Sequence, residues 1–149
     1  MKTFNVTYKI KSTSEDGLFF TKVQADNHWA AIEQVNNMNS DYMAMAIVSS
    51  RFISLFKRYT KCYNKLKSKG GLGVFKEIDN YLNEWYFHTP YIKMLDSCIF
   101  CDSLTPTGIY IVDDAASADL YELSDYSLLI LVEWLEDIVD FTKGINFKN

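Results

Sequence analysis

Phe4, Val6, Tyr8 and Ile10 alternate with Asn5, Thr7, Lys9 and Lys11, and no other feature of the 149 residues limits the fold as much. Successive side chains of an extended chain fall on opposite faces, so this period-two run is a strand with one apolar face to bury. Residues 12–17 are polar and end in Asp-Gly, a strong turn signal. Residues 18–25 form a second β-rich run, and the two runs are expected to pair as an antiparallel hairpin. A lone hairpin is marginal in water, so another element must cover it. Asp26 or Asn27 is placed to cap a helix in which Trp29, Ile32, Val35 and Met38 recur at helical spacing, and Ala30 and Ala31 favour that helix. Asn36, Asn37, Asn39 and Ser40 stop it. Residues 42–49 read as a third strand, with a short helix as the alternative. Residues 1–50 are therefore expected to form a ββαβ antiparallel sheet unit with the helix on one face.

A second helix is expected over 51–69. Phe52, Leu55, Phe56, Tyr59, Cys62, Tyr63 and Leu66 make its apolar stripe, and Lys57, Arg58, Lys61 and Lys65 share the other face. Gly70, Gly71 and Gly73 follow. A third helix is expected with Val74, Phe75, Ile78, Leu82, Trp85 and Tyr86 inward, closed by Pro90. Residues 91–102 have no decisive pattern. Residues 105–108 read as a turn, 109–112 as a short strand and 113–119 as a polar stretch. Ser124 or Asp125 caps a last helix over 126–141, which Lys143 and Gly144 terminate. The expected architecture is one α+β domain over 1–149, its ββαβ unit packed with a mainly helical C-terminal half.

Size and composition agree with a packed core. Apolar residues make up 48% and aromatic residues 15%, with six Gly and two Pro. The opening MKTFNVTYKIKS lacks the apolar run of a signal peptide. The longest apolar run, LLILV at 128–132, is far short of the ~20 residues that cross a bilayer. A soluble, cytoplasmic protein with no membrane partner is expected. An odd cysteine count (Cys62, Cys98 and Cys101) without a secretion signal points to reduced thiols.

Charge is divided along the chain. Residues 1–71 carry eleven Lys and Arg against five Asp and Glu, and residues 72–149 carry four against fourteen, so +6 and −10 make up the net −4. In the acidic half, Asp113, Asp114, Asp119, Glu122 and Asp125 cluster before the last helix. Glu133, Glu136, Asp137 and Asp140 then sit at i, i+3, i+4 and i+7, one helical face. Like charges at that spacing repel by a few tenths of a kcal/mol per pair, so the stripe invites a reason. A basic partner surface, a match to the Lys57–Lys65 face within one chain or across a homodimer, and plain solubility all supply one. The partner-binding residues expected are these eight: Asp113, Asp114, Asp119, Glu122, Glu133, Glu136, Asp137 and Asp140.

The basic helix offers a second reading. Seven cations and no acid lie between 51 and 69, interleaved with aromatic rings, as in a helix lying along phosphates. Its nucleic-acid residues would be Lys57, Arg58, Lys61 and Lys65. Yet the rings recur at core spacing, which favours burial over stacking on bases. Cys98-Ile-Phe-Cys101 offers a third reading, as a redox pair or half of a zinc site. Cys62 and His88 are the only completions of such a site and form no close second pair, so small buried cysteines fit better. His28 and His88 have no Ser or Cys at catalytic spacing. No cofactor and no catalytic residue are expected.

The opening MKTFNVTYKIKS…GLFFTKVQADNHWAAIEQVNN resembles the ββα openings of small phage and mobile-element accessory proteins, in which two strands end in a step such as Ala25-Asp26-Asn27 into a helix. The resemblance covers about a third of the chain. It implies a class of small proteins that bind host machinery in the host cytoplasm, including inhibitors of defence nucleases. It assigns a role to no individual residue, and 51–149 take no part in it.

Overall fold

The computed structural model describes residues 1–13, 17–68, 91–94, 97–111, 116–141 and 143–144, giving the backbone alone for 91–94, 97–103, 109–111, 116–118 and 141. The chain is α+β and forms two compact units, Met1–Ile53 and Ser54–Asn149. The helix expected over 74–86, the glycines before it, His88, Asp113 and Asp114 lie outside the described residues.

In the first unit β1 (Lys2–Ile10), β2 (Phe19–Ala25), α1 (His28–Met38) and β3 (Tyr42–Val48) follow in the expected ββαβ order. The sheet order is β2-β1-β3, antiparallel throughout. Phe4 stands opposite Val23 and Tyr8 opposite Phe19. The β1–β3 register shifts between Thr7 and Tyr8. Phe4, Val6, Val23 and Ala25 meet Ala31 and Val35 of α1 in the core, with Tyr8, Ile32 and Ile47 packed around them. Asn27 takes the cap: its side chain accepts from the Ala30 N–H at 2.9 Å. At Ala44 an edge N–H of β3 donates to Asn36 Oδ1 at 2.8 Å, which removes one free donor from the sheet edge.

Two details depart from the sequence pattern. Trp29 recurs at core spacing yet is 75% exposed, while the smaller Ala31 is buried. A helix lying close on a sheet needs a small residue at its nearest approach, and Ala31 fills that place. Thr7, on the polar side of β1, is also fully buried. Its hydroxyl donates to the Ala46 carbonyl at 3.2 Å, and its opposite number Phe20 meets Phe52 edge-on at 6.3 Å. Both sides of β1 are closed at that level.

Helix α2 (Ser50–Ser68) continues into the second unit. There the chain adds β4 (Tyr91–Met94), β5 (Ser97–Leu104), β6 (Gly108–Ile111) and β7 (Ala116–Asp119) as a four-stranded antiparallel meander. A 3₁₀ turn at Leu120–Glu122 leads to α3 (Asp125–Phe141). The sequence pattern offers one short strand here and leaves 91–102 open. The additional strands are short or mixed in composition, and β7 is Ala-Ser-Ala-Asp. That last segment has little intrinsic β-preference, and pairing with β6 supplies what its local sequence lacks.

Among the described residues, no helix is long and apolar enough to cross a membrane.

Candidate functional site

The two charged helices of the second unit carry the features that could act on a ligand or partner. On α2, Phe52, Leu55, Phe56, Tyr59, Cys62 and Leu66 are buried, as their spacing requires. Phe52, Phe56 and Tyr59 of the basic helix therefore belong to the core and are not a platform for bases, while Tyr63 is half-buried. Tyr59 is fully buried, and its hydroxyl lies 2.6 Å from the Thr105 carbonyl oxygen and 2.7 Å from that of Gly108. This fastens α2 to the β5–β6 turn. Lys57, Lys61 and Lys65 are exposed, whereas Arg58 is half-buried.

On α3, Leu128, Leu131, Val132, Leu135 and Ile138 are fully buried. That stripe fixes which way every other side chain of the helix points. Ser124 Oγ caps the helix by accepting from the Ser127 N–H at 3.1 Å. Gly144, at φ 81, follows its end in the left-handed conformation. Glu133, Asp137 and Asp140 are exposed, and Glu136 is turned toward α2. Arg58 Nε and a terminal nitrogen donate to the two Glu136 carboxylate oxygens at 3.2 and 2.5 Å. This is the two-pronged geometry that guanidinium and carboxylate favour. Hydrogen bonding to Glu136 raises the Arg58 pKa above its ordinary value.

Among the described residues, the basic and acidic stripes thus meet within one chain at the Arg58–Glu136 pair. Beyond that pair they part to leave a groove of about 420 Å³. Arg58, Lys61, Cys62 and Lys65 line it from α2, and Glu136, Val139, Asp140 and Lys143 line it from α3 and the turn after it. Arg58, Lys61, Cys62 and Lys65 on one side, and Glu136, Val139, Asp140 and Lys143 on the other, each fall at i, i+3, i+4 and i+7. Cys62 is buried at this groove, and burial followed by the Glu136 carboxylate pushes its thiol up to about 11. It is a neutral thiol, not a nucleophile, at physiological pH. Sequence reasoning overlooks Val139 and treats Lys143 only as a helix terminator. The matching stripes on two helices are the signal that could have found both, but only with the helix pairing known.

The remaining sequence candidates have other placements. Glu122 accepts from the Asp119 N–H at 3.1 Å, and Tyr121 donates its hydroxyl to Asp119 Oδ2 at 2.8 Å. These two acids hold the 3₁₀ turn together. Burial, with Asp119 beside it, pushes the Tyr121 phenol well above its ordinary range. Cys98 and Cys101 lie on one strand, β5, opposite Lys93 and Ile111. Three residues of extended strand span roughly 10 Å. A disulfide needs α-carbons within about 7 Å, and joint chelation needs a turn, so this backbone offers the C-x-x-C neither. His28 is exposed at the start of α1 and meets Phe4 edge-on at 5.1 Å.

Compared with protein-family models, with curated proteins and with solved structures, the chain matches none.

Proposed function

We propose that this chain is a non-enzymatic binding protein that engages a basic surface of a partner protein through the outward face of α3. The observation that carries this reading is the division of labour among the acids of that helix. Glu136 is turned to Arg58, while Glu133 and Asp137, one helical turn apart, face outward from a helix whose opposite stripe is fully buried. Asp140 extends the face to the rim of the groove. A rigid row of carboxylates steers a cationic partner and sets its register. The resemblance of the N-terminal third to phage accessory proteins directs the search to host proteins that handle nucleic acid, whose phosphate-binding surfaces are basic.

The test is capture of partners from the cells in which the chain is made, by wild-type protein and by the E133K/D137K double variant, over a range of salt. The reading expects a partner that is lost steeply as salt rises and is lost in the variant at low salt, with the melting temperature unchanged. Capture that survives the double reversal would remove the acidic face from the account. A second reading keeps the exposed Lys57, Lys61 and Lys65 of α2 as a nucleic-acid surface. It expects retardation of mixed DNA and RNA at low salt, and no retardation would end it.

A further inference from the structure

We infer that the groove between α2 and α3 is a binding site for a small phosphate-bearing ligand. This site is distinct from the outward acidic face. Four cations line the groove, three from the basic helix and Lys143 from the end of the acidic one, and they are not equivalent. Arg58 is already engaged by Glu136 through both prongs. The cations left over are Lys61, Lys65 and Lys143, facing the single carboxylate of Asp140. Both helices end near here, and each terminus contributes about half a negative charge. Lys65 and Lys143 offset those ends, and a surplus of about one positive charge remains.

The type of cation selects the type of anion. A planar carboxylate is best held by a guanidinium fork, and the only fork here is occupied. Lysines act as compact point charges and suit a group that concentrates two or more negative charges, as a phosphate does. A volume of about 420 Å³ is within the range of small-molecule sites and too large for an inorganic ion alone. Val139 and the neutral thiol of Cys62 provide an apolar wall for an organic body.

Calorimetric titration of the full chain with inorganic pyrophosphate and with a nucleoside monophosphate, at low ionic strength, tests this. Saturable one-to-one binding is expected. Each of K61Q, K65Q and K143Q should weaken it about three- to tenfold, the range of one charge-assisted contact. K57Q, a change on the same helix outside the groove, should leave it unaltered. E136Q should tighten binding, because it removes a carboxylate from the groove and frees Arg58. That gain is an outcome that loss of folding cannot mimic, and thermal melts confirm that each variant is folded. Absence of saturable binding would overturn the proposal, as would equal weakening by K57Q. Binding of an oligonucleotide but of neither small phosphate would overturn it in favour of a nucleic-acid surface.

Discussion

Tyr59 shows how much one side chain can decide. It belongs to the apolar stripe of α2 by spacing, but its hydroxyl reaches the backbone carbonyls of Thr105 and Gly108, the second of which also accepts from the Thr105 N–H at 2.9 Å. Y59F keeps the ring and removes the hydroxyl donor. Urea unfolding should show a loss of about 1 kcal/mol, the net contribution of one buried hydrogen bond. Cys62 makes a second residue-level prediction. Its thiol ordinarily ionises at 9.0 and in the folded chain only at about 11, because burial penalises the thiolate. The unfolded chain therefore loses its proton first as pH rises. The stability that the neutral thiol contributes is complete below pH 9 and is lost as pH rises to about 11. Stability measured across that window should fall more steeply for the wild type than for C62S. A residue's type and period revealed that Tyr59 and Cys62 are inward. Tyr59 reaches the β5–β6 turn and Cys62 faces Glu136 of α3, both far along the chain, and neither could be read locally.

At the scale of elements, α3 is the part most legible in sequence and most important to packing. Its cap at Ser124, its buried stripe and its glycine terminator all follow from residue type and a period of 3.6. L131A should cost about 2–5 kcal/mol, as a fully buried leucine does when a cavity is left behind. W29A makes the contrast on α1. Trp29 has the larger side chain and the same apparent periodicity, but it stands in solvent, and its removal should alter stability by no more than about 0.5 kcal/mol. Thermal or urea melts of the two variants side by side check both statements. The strand β7 marks the opposite limit of legibility. Ala-Ser-Ala-Asp contains no β-branched or aromatic residue, and only its pairing with β6 makes it a strand. The C-x-x-C reads as a turn motif when taken alone and lies in an extended strand because β4 and β6 flank it.

At the scale of the molecule, the charge division takes a different form from the one the linear sequence suggests. The change of sign falls near residue 71, whereas the compact units divide after Ile53. Counted by unit, Met1–Ile53 carries five cations and five acids, and Ser54–Asn149 carries ten and fourteen. The first unit is neutral, and both the basic helix and the acidic helix belong to the second. Their stripes meet at Arg58 and Glu136, which leaves Glu133 and Asp137 facing outward and a lysine-lined groove beside the pair. Each stripe was legible in the sequence. Their meeting was not, because 78 residues separate the two partners and helix periodicity says nothing about which helices pair. A double-mutant cycle on this contact tests the account most directly, using R58Q, E136Q and the double variant in urea unfolding at low and high salt. Both side chains keep about 40% of their surface in water, which limits the pair to a modest energy. A favourable coupling of about 0.5–1 kcal/mol that shrinks with salt is expected. Effects that simply add, within about 0.3 kcal/mol at low salt, would mean that the two stripes do not meet within the chain.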